Sequence, residues 1–500
     1  MDHDDGIRFH CNDSDGLPSV QEYAQIRVQI LESLSDANDL TTMRHSLAES
    51  KKSLAAINVV RDRLMFRVHS LGTRCMPLVL EEGIKHLPDE ILTLIFESGH
   101  YLSEDNSFAL RVSRVCQRFR SVALETPLLW TRLSPTYSLC QTQNFMSRSV
   151  HMGLDVLIPW ETGLPRDETE NVEEKHRILA SQSHRWTRLT TYCEDADNTF
   201  KRLGITSFPN LQYLEYNSDS GFPSLSMPSL TEVHGSLWDF VQVEIPCCSQ
   251  LSWVNLRFLD NEYIDATAFS HAVHEMQSLR RLFLTMDACA RVTTHDSPLS
   301  SFKPEFVPHS VRIDTLDITI KDETASEIAG PVYAALSFLL AETFSLSLEN
   351  LSGGYSRAMD YLCDCNQKWF PYGYDVTIKI TNPTYPHSDM EDFYLLDQLT
   401  QNCEIAHTIH LDVPVVNFVC PRQHLVANRR NGYYSLRNLR FQNCDQLTIE
   451  EVMCLVQQLM FNMDENHGLQ LLEIFSCGGI RENALINLGH TLGRRLKWRS

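Results

Sequence analysis

One short apolar pattern recurs through the C-terminal two-thirds of this 500-residue chain, and such a recurrence restricts the fold more than any single motif. Four segments share a Ser/Pro-x-Leu or Ser-Leu lead-in followed by alternating apolar residues. They are Phe208-Pro-Asn-Leu211-Gln-Tyr-Leu214-Glu-Tyr216, Met227-Pro-Ser-Leu230-Thr-Glu-Val233, Cys248-Ser-Gln-Leu251-Ser-Trp-Val254-Asn-Leu256 and Gln277-Ser-Leu279-Arg-Arg-Leu282-Phe-Leu284. Later segments keep the apolar-x-x-apolar-x-apolar spacing at Ile313–Ile318, Ala341–Leu346, Ala406–Leu411, Leu436–Phe441 and Leu469–Ile474. The last two copies end in Cys444 and Cys477. Each copy predicts a short strand whose alternate residues enter a core. One such unit cannot bury its own apolar face, so neighbours must stack. Candidate return helices are Ala266–Gln277, Ala325–Leu340, Phe393–Gln401 and Glu450–Met460. Two stretches, 293–308 and 381–390, break the rhythm and read as solvent insertions or as rim loops that touch a target.

Upstream, residues 1–18 carry five aspartates and few apolar side chains and read as a mobile tail. Helical spacing begins with Ile26, Ile30 and Leu34, and Ser35–Asp39 breaks it. With Leu40 at an a position, the a/d set is Leu40, Met43, Leu47, Ser50, Leu54, Ile57, Arg61, Leu64, Val68 and Leu71, eight of ten apolar. Gly72 is the expected C-cap. This segment, 19–72, predicts either a coiled-coil homodimer through residues 40–71 or a hairpin with residues 20–34; Ser50 and Arg61 weaken the seam. Residues 135–185 read as a connector, with a helix around 172–183.

Between these lies the most specific pattern. Leu87-Pro88-Asp-Glu-Ile91-Leu-Thr-Leu-Ile95-Phe96 places a proline at a helix start and two acids in its first turn. A second helical run, 108–124, carries Leu110, Val115-Cys116 and Phe119, and Thr126-Pro-Leu-Leu-Trp130 closes the unit. A domain of about 50 residues buries too little surface to be very stable alone, so its exposed apolar side chains point to a partner. From Ser107 to Ser134, Arg111, Arg114, Arg118, Arg120 and Arg132 face only Glu125, a basic island in an acidic chain. The pattern over 84–134 resembles an F-box, with Phe119 where many members carry Trp. The repeats over 186–500 resemble degenerate leucine-rich repeats, and the layout is similar to the expanded F-box sets of mushroom-forming fungi. The F-box resemblance implies docking to a Skp-type adaptor, and through it to a cullin, by Leu87, Pro88, Ile91, Ile95, Leu110, Val115 and Phe119. A basic rim suits an acidic adaptor.

Composition limits the alternatives. Sixty-four acids against 43 bases give a net charge of −21, which disfavours nucleic acid and anionic membrane as partners. The odd count of 15 cysteines and an acidic start without an apolar h-region point to a reducing, intracellular setting, cytoplasmic or nuclear. Phosphate loops, dinucleotide fingerprints and nucleophile elbows are missing. The pairs His271/His274 and His407/His410 lack further ligands at zinc spacing, and Cys247-Cys248 and Cys363-Asp-Cys365 lack a second cysteine pair, so no metal or cofactor is expected. The basic end from Gly493 reads as a solvated helix end rather than a nuclear address.

The expected fold is α/β: a helical hairpin or coiled coil, a short all-α F-box, and an irregular leucine-rich-repeat solenoid. The expected function is a non-catalytic substrate-recognition subunit of an SCF-type ubiquitin ligase with an unknown protein target. The alternative is an interaction scaffold that promotes no ubiquitin transfer. A ligand sensor or enzyme would need a convergent polar pocket, which a sequence cannot display.

Overall fold

The computed structural model describes residues 40–499 except 104–106, 159–171, 193–195, 217–224, 237–247, 259–264, 290–305, 322–323, 325, 351–360, 363–372, 382–394, 397–398, 400–404, 415–434 and 462–467. The tail 1–18 and the predicted helix at 20–34 lie outside the described residues, as do most of Phe393–Gln401 and of the two rhythm-breaking stretches. Two compact units divide the chain, Met1–Leu94 and Ile95–Ser500.

The first unit is built on α1 (Leu40–His86) and holds the start of α2 (Asp89–Leu102). The expected stop at Gly72 is incorrect: α1 continues through it for nearly another four turns. A glycine costs a helix only about 1 kcal/mol relative to alanine. Gly72 is also not among the residues that adopt the left-handed conformation a glycine C-cap uses. Met43, Leu47, Leu54, Ile57, Leu64, Val68 and Leu71 are 44–69% exposed along this helix.

In the second unit α2 is followed by α3 (Phe108–Val112) and α4 (Gln117–Leu124). The single run expected over 108–124 is thus two helices. Ser113 donates to the Leu110 carbonyl (2.9 Å) in the intervening turn, and extended Cys116 caps α4 by accepting the Phe119 N–H (3.4 Å). A 3₁₀ turn, Pro127–Trp130, leads into β1 (Arg132–Leu133). Then come α5 (Leu139–Arg148), β2 (Leu154–Ile158), α6 (Val172–Ala180) and β3 (Trp186–Thr191). The sheet therefore begins well before residue 186, and the supposed connector contributes a strand. Leu154-Asp-Val-Leu-Ile158 has strand periodicity but lacks the lead-in that marks later copies.

The remaining elements are α7 (Ala196–Arg202), β4 (Tyr213–Tyr216), β5 (Glu232–Ser236), β6 (Trp253–Phe258), α8 (Ala266–His274) and β7 (Arg281–Asp287). After them come β8 (Val311–Lys321), α9 (Ser326–Ala335), β9 (Leu339–Glu349), β10 (Gly373–Thr381), β11 (Thr408–Asp412) and β12 (Asn438–Gln442). The chain closes with α10 (Ile449–Val456), β13 (Leu471–Phe475), α11 (Glu482–Leu492) and β14 (Leu496–Arg499). The basic end is thus divided: Gly493–Arg495 is a 3₁₀ turn closing α11, and Leu496–Arg499 is the last described strand rather than a helix end.

The fourteen strands among the described residues form one parallel sheet in sequence order. Register puts one buried residue from each strand in a continuous row, beginning Leu133, Val156, Leu189, Leu214 and Val233 and ending Leu439, Leu472 and Leu496. The apolar-x-x-apolar-x-apolar pattern is the local expression of that row. In Leu436-x-x-Leu439-x-Phe441 the first residue is buried just before the strand, and the other two alternate inward within it. The lead-in is a tight turn: Leu230 donates to the Met227 carbonyl (3.2 Å) and Leu251 to the Cys248 carbonyl (3.2 Å). Strand ends share a second device. Ala288, Asn443 and Ser476 adopt φ near +52°, and each precedes a buried cysteine. The Cys444 thiol reaches the Leu411 and Gln442 carbonyls (both 3.3 Å), and Cys289 reaches those of Phe258 (3.4 Å) and Asp287 (3.6 Å). Burial holds the Cys444 thiol well above its ordinary range, as befits a packed, inert group.

Candidate functional site

In the first unit Pro88 stands just ahead of α2, and its carbonyl accepts from the N–H groups of Ile91 and Leu92 (both 3.1 Å). Proline has no N–H to leave unsatisfied there, and Asp89 and Glu90 face the positive end of the helix dipole. Leu87 is half-buried and Pro88 exposed. Ile91 is 41% and Leu94 57% exposed, whereas Leu92 is buried. Leu94, which the sequence reading does not single out, is more exposed than Ile91 and Ile95 and less than Val115.

In the second unit Ile95 is 50% exposed and Val115 64% exposed, while Leu110 is half-buried. Phe119 is turned partly inward, its ring 5.0 Å from Phe96 in an edge-to-face contact. It therefore supports the helices as well as lining their surface. Trp130 has no exposure; its Nε1 donates to the Ala123 carbonyl (2.8 Å) and its ring meets Phe145 at 4.9 Å. Thr126 Oγ1 donates to the Val122 carbonyl (2.7 Å), so the Thr-Pro-Leu-Leu-Trp run locks α4 against the start of the sheet.

The basic island needs one correction. Arg111, Arg114 and Arg120 are exposed and Arg118 is half-buried, but Arg132 is not on a rim. Its guanidinium bonds the Ser103 carbonyl and lies 3.4 Å from the Asp155 carboxylate. The partner comes from β2, which no local pattern could connect to Arg132.

A feature that sequence reasoning missed lies on the outward face of β1–β5 in the second unit. A cavity of about 860 Å³ is lined by His100, Arg132, Asp155, Arg188, Tyr213 and Glu215, among others. Tyr213 (2.9 Å), Tyr192 (3.3 Å) and Thr190 (3.5 Å) all donate to the Glu215 carboxylate. Burial, then the Glu215 charge, pushes the Tyr213 phenol above its ordinary range. Burial raises Asp155 against the pull of Arg188 and Arg132. His100 is 5% exposed, and burial reinforced by Arg132 brings it down to about 4, so it is neutral near pH 7. The only signal was the strand alternation itself, which puts these polar residues on one face.

The pair His271/His274 has packing surroundings. The His274 ring stacks on Phe306 at 3.8 Å, and His271 meets the same ring at 5.1 Å. Cys248 is buried, whereas Cys247, Cys363 and Cys365 lie outside the described residues. Among the described residues no three His, Cys, Asp or Glu side chains converge as a metal site would require. No described helix is long and apolar enough to cross a membrane.

No curated protein matches this chain. Residues 84–136, from the end of α1 through the first strand of the sheet, match the F-box-like family model.

Proposed function

We propose that this chain is a substrate-recognition subunit of an SCF-type ubiquitin ligase. The F-box-like segment docks a Skp-type adaptor, which links it to a cullin, and the stacked sheet, read as an irregular leucine-rich-repeat solenoid, holds a protein target. The observation that carries this reading is the coincidence of the family match with exposed apolar side chains. Ile91, Leu94, Ile95 and Val115 all stand in solvent, and exposed arginines of α3 and α4 accompany the last two. Burying what each of these anchors still exposes contributes on the order of 1 kcal/mol. The mechanism is proximity: two binding modules on one chain keep a target at high effective concentration near a ubiquitin-charged enzyme. The scaffold alternative uses the same docking surface and differs only in whether a cullin joins.

Co-expression with a Skp-type adaptor tests the reading. The wild type co-purifies as a stoichiometric complex, and Leu87→Ala with Pro88→Ala abolishes co-purification without lowering the melting temperature of the sheet. Undiminished binding by a folded double variant would overturn it. Recovery of the complex without a cullin favours the scaffold.

A further inference from the structure

The outward face of the first seven strands carries no net negative charge, unlike the chain as a whole. In a chain of net charge −21, its side chains from the cavity across to Thr285 include four arginines, Arg132, Arg188, Arg257 and Arg281, and three carboxylates. The carboxylates are already engaged. Asp155 has Arg132, Glu215 has three hydroxyl donors, and Glu232 lies 3.0 Å from His234 Nε2. Asp287 stands apart at the far end of β7.

Arg132 is held by Asp155, but the other three arginines are less engaged. Arg188 approaches a carboxylate only at 3.9 Å, and neither Arg257 nor Arg281 forms an ion pair or side-chain hydrogen bond among the described residues. Two of them are nevertheless held in place. The Arg188 guanidinium lies 3.7 Å over the Tyr213 ring and that of Arg281 lies 5.2 Å over the Trp253 ring. His234 bridges the two rings, 4.9 Å from Tyr213 and 6.1 Å from Trp253, so one stacked stripe crosses β3 to β7. Stacking on an aromatic face orients a guanidinium while leaving its N–H edge open, and a planar carboxylate fits that edge in bidentate fashion. Trp, Tyr and Arg are also the side chains that dominate binding energy at protein interfaces.

We infer that this stripe is the target-docking surface and that the target presents an acidic segment, its Asp or Glu carboxylates meeting the open edges of Arg188, Arg257 and Arg281. The inference rests on the target-receptor reading above and names the chemical class that such a target must have. A basic segment would meet Arg257 and Arg281, which have no ion pair among the described residues, and Arg188, whose carboxylate neighbour stands at 3.9 Å, while the acids of the stripe are already engaged.

Fluorescence anisotropy on the full chain bound to its adaptor tests it, with three labelled peptides of alternating Glu-Ser, Gln-Ser and Lys-Ser. The Glu peptide binds at least about tenfold more tightly than the Gln peptide and weakens as salt rises. Arg188→Ala and Arg281→Ala each lower its affinity about tenfold, and Arg281→Lys recovers only part of the loss because an ammonium cannot fork. Arg281 sits on an exposed strand position, so its variants remain folded even where Arg188→Ala disturbs Asp155. Equal binding of all three peptides, preference for the Lys peptide, or indifference to both alanine variants overturns the inference. Adaptor co-purification is scored on the same preparations. Adaptor bound with the Glu peptide ignored sinks this inference alone, whereas adaptor lost with the Glu peptide bound sinks the ligase reading and leaves the acidic-peptide surface standing.

Discussion

His100 shows how one residue can tie the helical segment to the sheet's polar face. It comes from the last turn of α2, is almost wholly buried, and lines the cavity beside Arg132. Its folded-state pKa is about 4 against an ordinary 6.5. Between those values the unfolded chain binds a proton that the folded chain refuses. Stability therefore rises with pH through that window and, for this group, is level above it. The loss on acidification to about pH 4 is on the order of 2 kcal/mol. His100→Asn, which cannot charge, flattens this part of the slope. Denaturant midpoints at about pH 4.5 and 7 check it, and an equal drop in both proteins would refute the assignment. At this scale, legibility depended on whether a residue's partner is local. Pro88 and the Thr126–Trp130 lock follow from neighbours within a few positions, so both could be read. Arg132 and His100 take their character from β2 and from the sheet face, and neither was legible as more than a charge or an isolated ring.

Elements were legible where a strand had its own punctuation. The Pro-x-Leu turn marks β4 and β5 and its Ser-x-Leu or Ser-Leu variants mark β6 and β7, whereas β10 has the alternation Val376, Ile378, Ile380 but no lead-in and was passed over. The left-handed residue before Cys289 repeats the device at Cys444 and Cys477, yet Ala, Asn and Ser in that position share no sequence signature. Helix α1 is legible as an amphipathic seam, but what covers the seam is a matter of charge as well as apolar spacing. In its heptads the e and g positions include Arg44, Lys51, Arg67 and Arg74 and no acid. Self-pairing would gather these cations along the flanks with no acid there to pair them. A dimer through this seam must therefore strengthen as salt screens the repulsion, the reverse of association driven by ion pairs. If two chains pair through the seam, light scattering at about 0.05 M and about 0.5 M salt is expected to give the larger mass at the higher value, and Leu54→Glu with Leu64→Glu to keep the chain monomeric at both. A dimer that dissociates in salt would contradict this account of the flanks.

On the scale of the whole molecule, a fourteen-stranded parallel sheet has two ends, and each must be protected from pairing with another chain. The N-terminal end is covered by its neighbours: β1 is two residues long, and Trp130, Leu133 and Phe145 pack there with the 3₁₀ turn and α5. The segment that matches the F-box-like family thus includes the first rung of the sheet, and within the second unit α4 and the sheet share a core. The C-terminal end is guarded differently. In β14 Leu496 is buried, Lys497 and Arg499 are exposed, and Lys497 pairs with Glu473 of β13 at 3.1 Å. Charge on an edge strand penalises the approach of a second edge, since two such strands would desolvate like charges side by side. Replacing both with Leu keeps the strand and its inward residue but leaves an apolar edge. Lys497→Leu with Arg499→Leu is expected to raise the scattered mass with protein concentration while the melting temperature at low concentration stays within a few degrees. If the double variant remains monodisperse, the edge is protected by its shortness and twist alone, and its cations serve some other purpose.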